Sequence, residues 1–160
     1  MMILSGTGHR PSSLPGKYSA RTTKALYDTA LAALKELNPT LVFSGGALGW
    51  DTALAIASYD LGVPYVVASP FVGQESKWPT QSQKQYQKLL SYAQEVVVVS
   101  KGGYSASKMQ RRNEYLVDHC DKVVALYNGS KGGTQNCLLY ANKQGKPVIN
   151  AWNAFLHLYG

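Results

Sequence analysis

Five short segments of the chain are rich in glycine and serine, and each follows an apolar run. They are Ser5–Pro11, Ser44–Thr52, Ser69–Ser76, Ser100–Ser105 and Asn128–Thr134. Glycine lets backbone amides approach an anion closely, and the N-terminus of a following helix adds a positive dipole. One such turn is a weak sign, because glycine also simply makes turns. Five of them favour a binding site for a nucleotide or a sugar phosphate.

The elements that would position these turns alternate between apolar runs and helical stretches. The runs are rich in Val, Ile and Leu and continuous, which is typical of strands buried on both faces of a parallel sheet. The predicted strands are Met2–Ser5, Leu41–Ser44, Tyr65–Ala68, Val96–Val99, Val123–Tyr127 and Val148–Ile149. Apolar spacing predicts helices over Lys17–Leu37, Asp51–Leu61, Gln81–Ala93, Ser105–Cys120 and Thr134–Gln144.

This alternation predicts an α/β fold, a Rossmann-like three-layer sandwich with a mostly parallel sheet of about six strands. Ligands of such sheets bind beyond the carboxyl ends of the strands, so the five turns would share one edge. At 160 residues we expect one domain, spanning 1–160. The apolar segment Ala151–Tyr159 is expected either to cover the sheet or to join a homo-oligomer interface.

Several classes of protein are disfavoured by missing patterns. The chain has no G-x-x-x-x-G-K-[ST] motif and no G-x-G-x-x-G after the first strand, which argues against P-loop NTPases and standard dinucleotide dehydrogenases. No apolar run approaches the ~20 residues that span a membrane, and the N-terminus does not read as a signal peptide. Cys120 and Cys137 lack metal-binding spacing. We therefore expect a cytoplasmic protein without a metal, cofactor or membrane partner.

The net charge of +7 favours an anionic partner. It is uneven, since residues 1–80 hold six Lys or Arg against five Asp or Glu, and residues 81–160 hold ten against four. Long basic runs of the kind found in nucleic-acid-binding arms are absent. A small phosphorylated ligand therefore explains the excess as well as nucleic acid does.

Three of the motifs together resemble a known superfamily. Ser44–Asp51 is similar to the SG-x-A-x-G-x-D turn of the DprA/Smf family. With Gly6–Pro11 and Gly132–Asn136, it resembles the YpsA-like branch of the SLOG superfamily, which also contains the "lonely guy" phosphoribohydrolases. The resemblance covers about residues 3–150. It implies a Rossmann-like fold and a nucleotide or nucleotide-derived ligand.

Comparison with the phosphoribohydrolases disfavours catalysis. Their M-x-x-R-K segment resembles Met109–Asn113, with Arg112 at the functional arginine, and their P-G-G-x-G-T-x-x-E loop resembles Asn128–Cys137. Cys137 stands at the position of the glutamate, whereas cleavage of an N-glycosidic bond needs a carboxylate or an activated water. Either another acid substitutes, with Glu75 slightly favoured over Asp51, or the chain binds its ligand without cleaving it.

The predicted ligand-binding residues follow the strand ends. Arg10 and Arg112 would pair with phosphate, and Trp50, Trp78 or Tyr104 could stack a base. Arg112 shares a helical stripe with Met109 and Leu116, so it should face inward and Arg111 outward. The complete set is Gly8, His9, Arg10, Ser44, Gly45, Gly46, Asp51, Gln74, Glu75, Trp78, Arg112, Gly129, Ser130, Gly132, Gly133, Thr134 and Asn136.

The leading hypothesis is a protein that binds a nucleotide-derived ligand carrying phosphate and ribose. The candidates are an ADP-ribose derivative, a cyclic nucleotide or a nucleoside monophosphate, bound for sensing or for sequestration, including sequestration of an immune signal. The first alternative is a nucleotide N-glycoside hydrolase. The second is DprA-like binding of single-stranded DNA, which the basic second half of the chain supports weakly.

Overall fold

Six strands and six α-helices alternate along the chain in a computed structural model that describes residues 1–160. The strands are β1 (Ile3–Gly8), β2 (Leu41–Ser44), β3 (Tyr65–Ser69), β4 (Glu95–Val98), β5 (Lys122–Leu126) and β6 (Val148–Asn150). The helices are α1 (Ala20–Leu37), α2 (Trp50–Asp60), α3 (Thr80–Tyr92), α4 (Ala106–Asp118), α5 (Gly133–Lys143) and α6 (Trp152–Tyr159). A short 3₁₀ turn, Pro11–Ser13, follows β1.

All six strands are parallel and lie in the order β4-β3-β2-β1-β5-β6. Leu4 of β1 pairs with Val42 of β2 on one side, and Ser5 pairs with Val123 of β5 on the other. Strands β1 to β4 follow one another toward one edge of the sheet, and β5 and β6 lie on the other side of β1. This confirms the predicted sheet and locates the reversal of strand order between β1 and β5.

The helices form two layers around the sheet, which confirms the Rossmann-like sandwich. Helices α1, α2, α3 and α6 share one core with Leu4 and Val124 of the sheet. On the opposite face, Leu116 of α4 packs with Phe43, and Cys137 of α5 packs with Val123. None of the helices is long and apolar enough to cross a membrane.

The first helix starts later than predicted, and the last helix packs against the core. The predicted start of α1 at Lys17 is wrong by three residues, because Lys17 has a positive φ of 47° and Ser19 caps the helix by accepting from the Thr22 amide. At the other end, Phe155 of α6 is fully buried in the core. The segment Ala151–Tyr159 therefore covers the core, one of the two roles expected for it.

Candidate functional site

A cavity of about 240 Å³ opens where β1 and β5 end side by side. It is lined by glycine- and serine-rich turns, three cationic side chains and one carboxylate. Its walls come from the end of β1, the start of α2, the middle of α4 and the loop that enters α5. The lining residues are Gly6, Thr7, Gly8, His9, Arg10, Ser12, Ser13, Ala47, Asp51, Met109, Arg112, Asn113, Leu116, Ser130, Lys131, Gly132, Gly133 and Thr134.

The end of β1 lies directly against α2. A Cβ atom on Gly8 would come within 2.6 Å of the Trp50 side chain, so only glycine fits there. Trp50 is fully buried, and its Nε1 donates to the Val124 carbonyl at 3.3 Å. The prediction that Trp50 could stack a base is therefore wrong, because its indole belongs to the core.

His9 joins the two strand ends that form the cavity. Its side chain is buried, and its Nε2 accepts a hydrogen bond from the Asn128 amide at 3.0 Å. That bond requires an unprotonated Nε2, and burial lowers the pKa of His9 below its ordinary value. His9 therefore holds the loop after β5 against the end of β1.

Arg112 enters the cavity wall from α4. It is only 5% exposed, its Nη1 donates to the Gly45 carbonyl at 2.6 Å, and its Nε donates to Asn113 Oδ1 at 3.3 Å. A Cβ atom on Gly45 would lie 2.5 Å from Nη1, so this glycine makes room for the guanidinium. Arg111 is exposed, which confirms the predicted orientation of α4.

Asp51 is the only acidic residue in the wall. Its Oδ2 accepts from the Ala47 amide at 3.3 Å, whereas its Oδ1 is buried without a hydrogen-bond partner. Burial raises the pKa of Asp51, and the positive charges of Arg112 and Arg10 oppose that rise. Asp51 and Arg112 share the cavity without forming an ion pair within 4.0 Å.

The start of α5 supplies backbone donors on the opposite wall. The first amides of a helix have no partner inside it, and no side chain caps α5. Asn113 Nδ2 donates to the Gly133 carbonyl at 3.3 Å and so holds this helix start against α4. Arg10 and Lys131 lie exposed at the rim. Amides, helix dipole and three cations together make the cavity attractive to an anion.

A second cavity, of about 360 Å³, adjoins the first and shares Arg10, Met109, Asn113 and Gly133 with it. The remaining lining residues include Tyr104, Gln110 and Asn136. Tyr104 is 74% exposed, so the face of its ring is open to a ligand. The combined space has a polar inner part and an outer part that contains an aromatic ring.

Eight predicted residues do not line the first cavity, namely Ser44, Gly45, Gly46, Gln74, Glu75, Trp78, Gly129 and Asn136, and of these only Asn136 lines the second. Ser44 braces the β2 turn by donating to the main-chain carbonyl of Asp51 and accepting from the Gly46 amide. Gln74 donates to the Gly45 carbonyl at 3.1 Å, the same carbonyl that accepts from Arg112.

Glu75 and Trp78 make other contacts. Glu75 Oε2 accepts from Gln87 at 2.6 Å, and Trp78 packs edge-on against Tyr86. The structure therefore does not bring these two residues, which follow β3, to the cavity beside Asp51.

Nine lining residues were missing from the predicted set, namely Gly6, Thr7, Ser12, Ser13, Ala47, Met109, Asn113, Leu116 and Lys131. Met109 and Leu116 lie three residues before and four residues after Arg112, so the helical stripe that identified Arg112 could have identified them too. Thr7 was missed because β1 runs to Gly8, three residues past its predicted end. Nothing in the sequence pattern singles out Ser12 and Ser13.

Cys137 lies in the apolar core between α4 and α5. It is 1% exposed, and burial raises the pKa of its thiol to about 11. A neutral buried thiol cannot transfer the proton that a glutamate transfers at this position. The wall that faces the cavity from α5 thus consists of backbone amides and Thr134.

A family model described as the YspA SLOG family matches residues 7–150. The chain belongs to this SLOG family. An uncharacterized SPbeta prophage-derived protein, YoqJ of Bacillus subtilis strain 168, is 36% identical to the chain over 76% of its length and 83% of the relative's. The resemblance of the three turn motifs to the SLOG superfamily is thus confirmed.

Two solved structures share the architecture at low identity. DNA processing protein A from Helicobacter pylori, whose structure concerns single-stranded DNA binding, aligns with a TM-score of 0.65 and 19% identity over 98% of the chain and 72% of its own. The molybdenum cofactor binding protein from Rippkaea orientalis aligns with a TM-score of 0.60 and 17% identity over 99% and 84%. These two likenesses show the fold alone.

Proposed function

We propose that the cavity between β1 and β5 binds a nucleotide-derived ligand that carries phosphate and ribose. The observation that carries the proposal is the uncapped start of α5, which shares one cavity with the buried Arg112 guanidinium. A buried arginine that is not paired with a carboxylate favours an anion, and phosphate fits both the fork of donors and the helix dipole.

The two adjoining cavities suggest how such a ligand would lie. Phosphate and ribose would occupy the inner cavity, beside Arg112 and the Gly132–Thr134 turn. A base would extend into the outer cavity, where Tyr104 offers a stacking surface and Gln110 and Asn136 offer amide donors and acceptors. An ADP-ribose derivative, a cyclic nucleotide or a nucleoside monophosphate satisfies this description.

Sensing or sequestration of the ligand is the role we infer. The support is Cys137 at the position of the hydrolase glutamate, together with a prophage-derived relative at 36% identity. A phage protein that holds an immune nucleotide signal without destroying it would need binding and no turnover. For this chain, we still predict a homo-oligomeric state and a cytoplasmic location.

Two measurements test the proposal. The purified protein is denatured, and the released small molecules are identified by mass spectrometry. AMP, CMP and ADP-ribose are then titrated calorimetrically into ligand-free protein. Binding of at least one nucleotide, with no affinity for a single-stranded oligodeoxynucleotide, supports the proposal. Binding to the oligonucleotide alone, falling steeply with salt, would instead favour the DNA-binding alternative.

A nucleotide N-glycoside hydrolase is the second candidate, and Asp51 is the observation that favours it. Burial raises the pKa of this carboxyl in the cavity, as is common for catalytic acids. Incubation with nucleoside monophosphates and ADP-ribose, followed by chromatography, separates the two candidates. We expect no released base above the uncatalysed rate. Steady release that disappears in Asp51→Asn would move hydrolysis to first place.

A further inference from the structure

The carboxylate of Asp51 has one oxygen that the protein leaves unused. Asp51 is 6% exposed, and its Oδ1 is one of four buried side-chain polar atoms without a hydrogen-bond partner. A buried acceptor without a donor destabilises the folded state. Oδ1 is itself closed to solvent, but Asp51 lines the cavity, so an oxygen without a donor on this carboxylate indicates a donor that a ligand would bring.

The groups around Asp51 do not supply that donor. The Ala47 amide donates to the other oxygen, Oδ2. Ser44 Oγ donates to the main-chain carbonyl of Asp51, not to its carboxylate. Arg112 directs Nη1 to the Gly45 carbonyl and forms no ion pair with Asp51 within 4.0 Å. No donor within the chain reaches Oδ1, and a ligand in the cavity that Asp51 lines is the donor source that the structure offers.

We propose that the Asp51 carboxylate turns Oδ1 toward the cavity when the ligand binds and accepts a hydrogen bond there from a ribose hydroxyl, so that the site selects ribosyl phosphates. The inference rests on the proposed function and adds the class of sugar and the atom that recognises it. A carboxylate beside an anion site repels phosphate, but it attracts the hydroxyl donors of the adjoining sugar. Arg112 and Asp51 then bind the two chemically different ends of one ribosyl phosphate.

This arrangement discriminates against DNA. A deoxyribose within a DNA strand has no 2′-hydroxyl, and its 3′-oxygen is esterified, so it offers Asp51 no donor. A DNA backbone in the cavity would leave Oδ1 unpaired and bring phosphates close to a second negative charge. The free hydroxyls of a nucleoside monophosphate or an ADP-ribose derivative fit instead.

The first test uses the wild-type protein and chemical probes. AMP and CMP are titrated calorimetrically beside their 2′-deoxy, 3′-deoxy and 2′,3′-dideoxy analogues. We expect the dideoxy analogue to bind roughly 10- to 150-fold more weakly than its parent, as for loss of a hydrogen bond to a charged group. The two monodeoxy analogues assign the hydroxyl. Equal affinity of parent and dideoxy nucleotide overturns the inference but leaves the proposed function intact.

The second test uses Asp51→Asn, whose amide is the same shape as the carboxylate. The Ala47 amide fixes the oxygen of the new side chain, so its NH₂ group replaces Oδ1 and an acceptor becomes a donor. We expect this variant to lose most of the preference for the parent over the dideoxy nucleotide, because the hydroxyl can exchange only a neutral hydrogen bond with the amide. Inorganic phosphate should bind it as well as or better than wild type, since a negative charge is gone.

Asp28→Asn is the matched control, because Asp28 lies on α1 and does not line the cavity. This variant should keep the wild-type preference for the parent over the dideoxy nucleotide. A merely structural Asp51 would give a different result, in which Asp51→Asn weakens every probe, including inorganic phosphate, by the same factor. Failure of all nucleotides to bind wild-type protein would contradict the proposed function itself.

Discussion

The strand ends of β1 and β5 differ from those of β2 and β3, although all four are followed by glycine- and serine-rich turns. Helix α1 follows β1 on one face of the sheet, and α5 follows β5 on the other. The chain therefore leaves this pair of strands in opposite directions, and a cavity opens between them. Helices α2 and α3, after β2 and β3, pack on the same face.

The turn after β2 contributes Ala47 and Asp51 to the cavity, but its first part and the turn after β3 fill one another. Gln74, after β3, donates to the Gly45 carbonyl and the Tyr86 hydroxyl. A Cβ atom on Gly46 would come within 2.9 Å of Tyr86, so this space is already occupied. Similar turn composition thus leads to a ligand cavity at one place and to packing at the other, and the direction in which the chain leaves each strand decides which.

Replacing Arg112 should have the largest effect on the β1/β5 site. Arg112→Ala removes a charge-assisted donor, so we expect roughly 10- to 150-fold weaker nucleotide binding in calorimetry. Arg112→Lys should not restore it, because lysine lacks the planar fork. Arg111→Ala on the exposed face is the control and should change affinity by less than about threefold. Equal losses in both variants would place the ligand away from this side of α4.

A side chain at Gly133 should have the next largest effect. No atom lies within 4 Å of a Cβ placed there, so Gly133→Val should fold and melt near wild type. Its methyl groups would crowd the first amides of α5, and we expect at least about tenfold weaker binding. Gly103→Val is the control, because that glycine also has open space but lies outside both cavities. Unchanged affinity in Gly133→Val would move the phosphate elsewhere.

The fold could be predicted from the sequence because its signals are local. Runs such as Val123–Tyr127 mark doubly buried strands, and Gly62 and Gly145, both with positive φ, mark turns just after α2 and α5. The order of the strands could not be derived from those patterns alone. The resemblance implied only that it would be Rossmann-like.

The candidate site was predictable only where one element carried the signal. Arg112 follows from the apolar stripe of α4, and Gly132–Thr134 follow from the start of α5. Glu75 and Trp78 were predicted as ligand-binding residues because they follow a strand. The composition of a turn does not show whether the space beyond its strand is a cavity or is filled by other side chains. The bond between Asn128 and His9 joins residues 119 positions apart, and no local pattern reports it.

His9 should make the stability of the β1/β5 end depend on pH. Its pKa is lowered in the folded state, so below the ordinary value of 6.5 the unfolded chain takes up a proton first. The stabilisation by the Asn128 bond is therefore present above that pH and is lost as pH falls through the folded-state pKa. Losing it costs about 1 kcal/mol.

The measurement is the free energy of unfolding in urea at pH 8 and at pH 5.5, compared between wild type and His9→Gln. His9→Gln keeps an acceptor for the Asn128 amide but cannot be protonated in this range. The other titrating groups, including Asp51, are common to both proteins and cancel in the comparison. Wild type should lose more unfolding free energy between the two pH values than the variant. The same loss in both proteins would show that His9 does not hold the loop.

Glu75→Gln should have the smallest effect, and it tests the filled β2/β3 end directly. The Glu75 carboxylate accepts from Gln87 at 2.6 Å and does not line the cavity, and glutamine retains an acceptor for that bond. Calorimetry with the nucleotide that binds wild type should show less than about a threefold change, as expected for an exposed polar contact. A loss as large as that of Arg112→Ala would mean that the loop after β3 moves onto the ligand. The β3 turn would then be part of the site, and Glu75 would return as the candidate acid in place of Asp51.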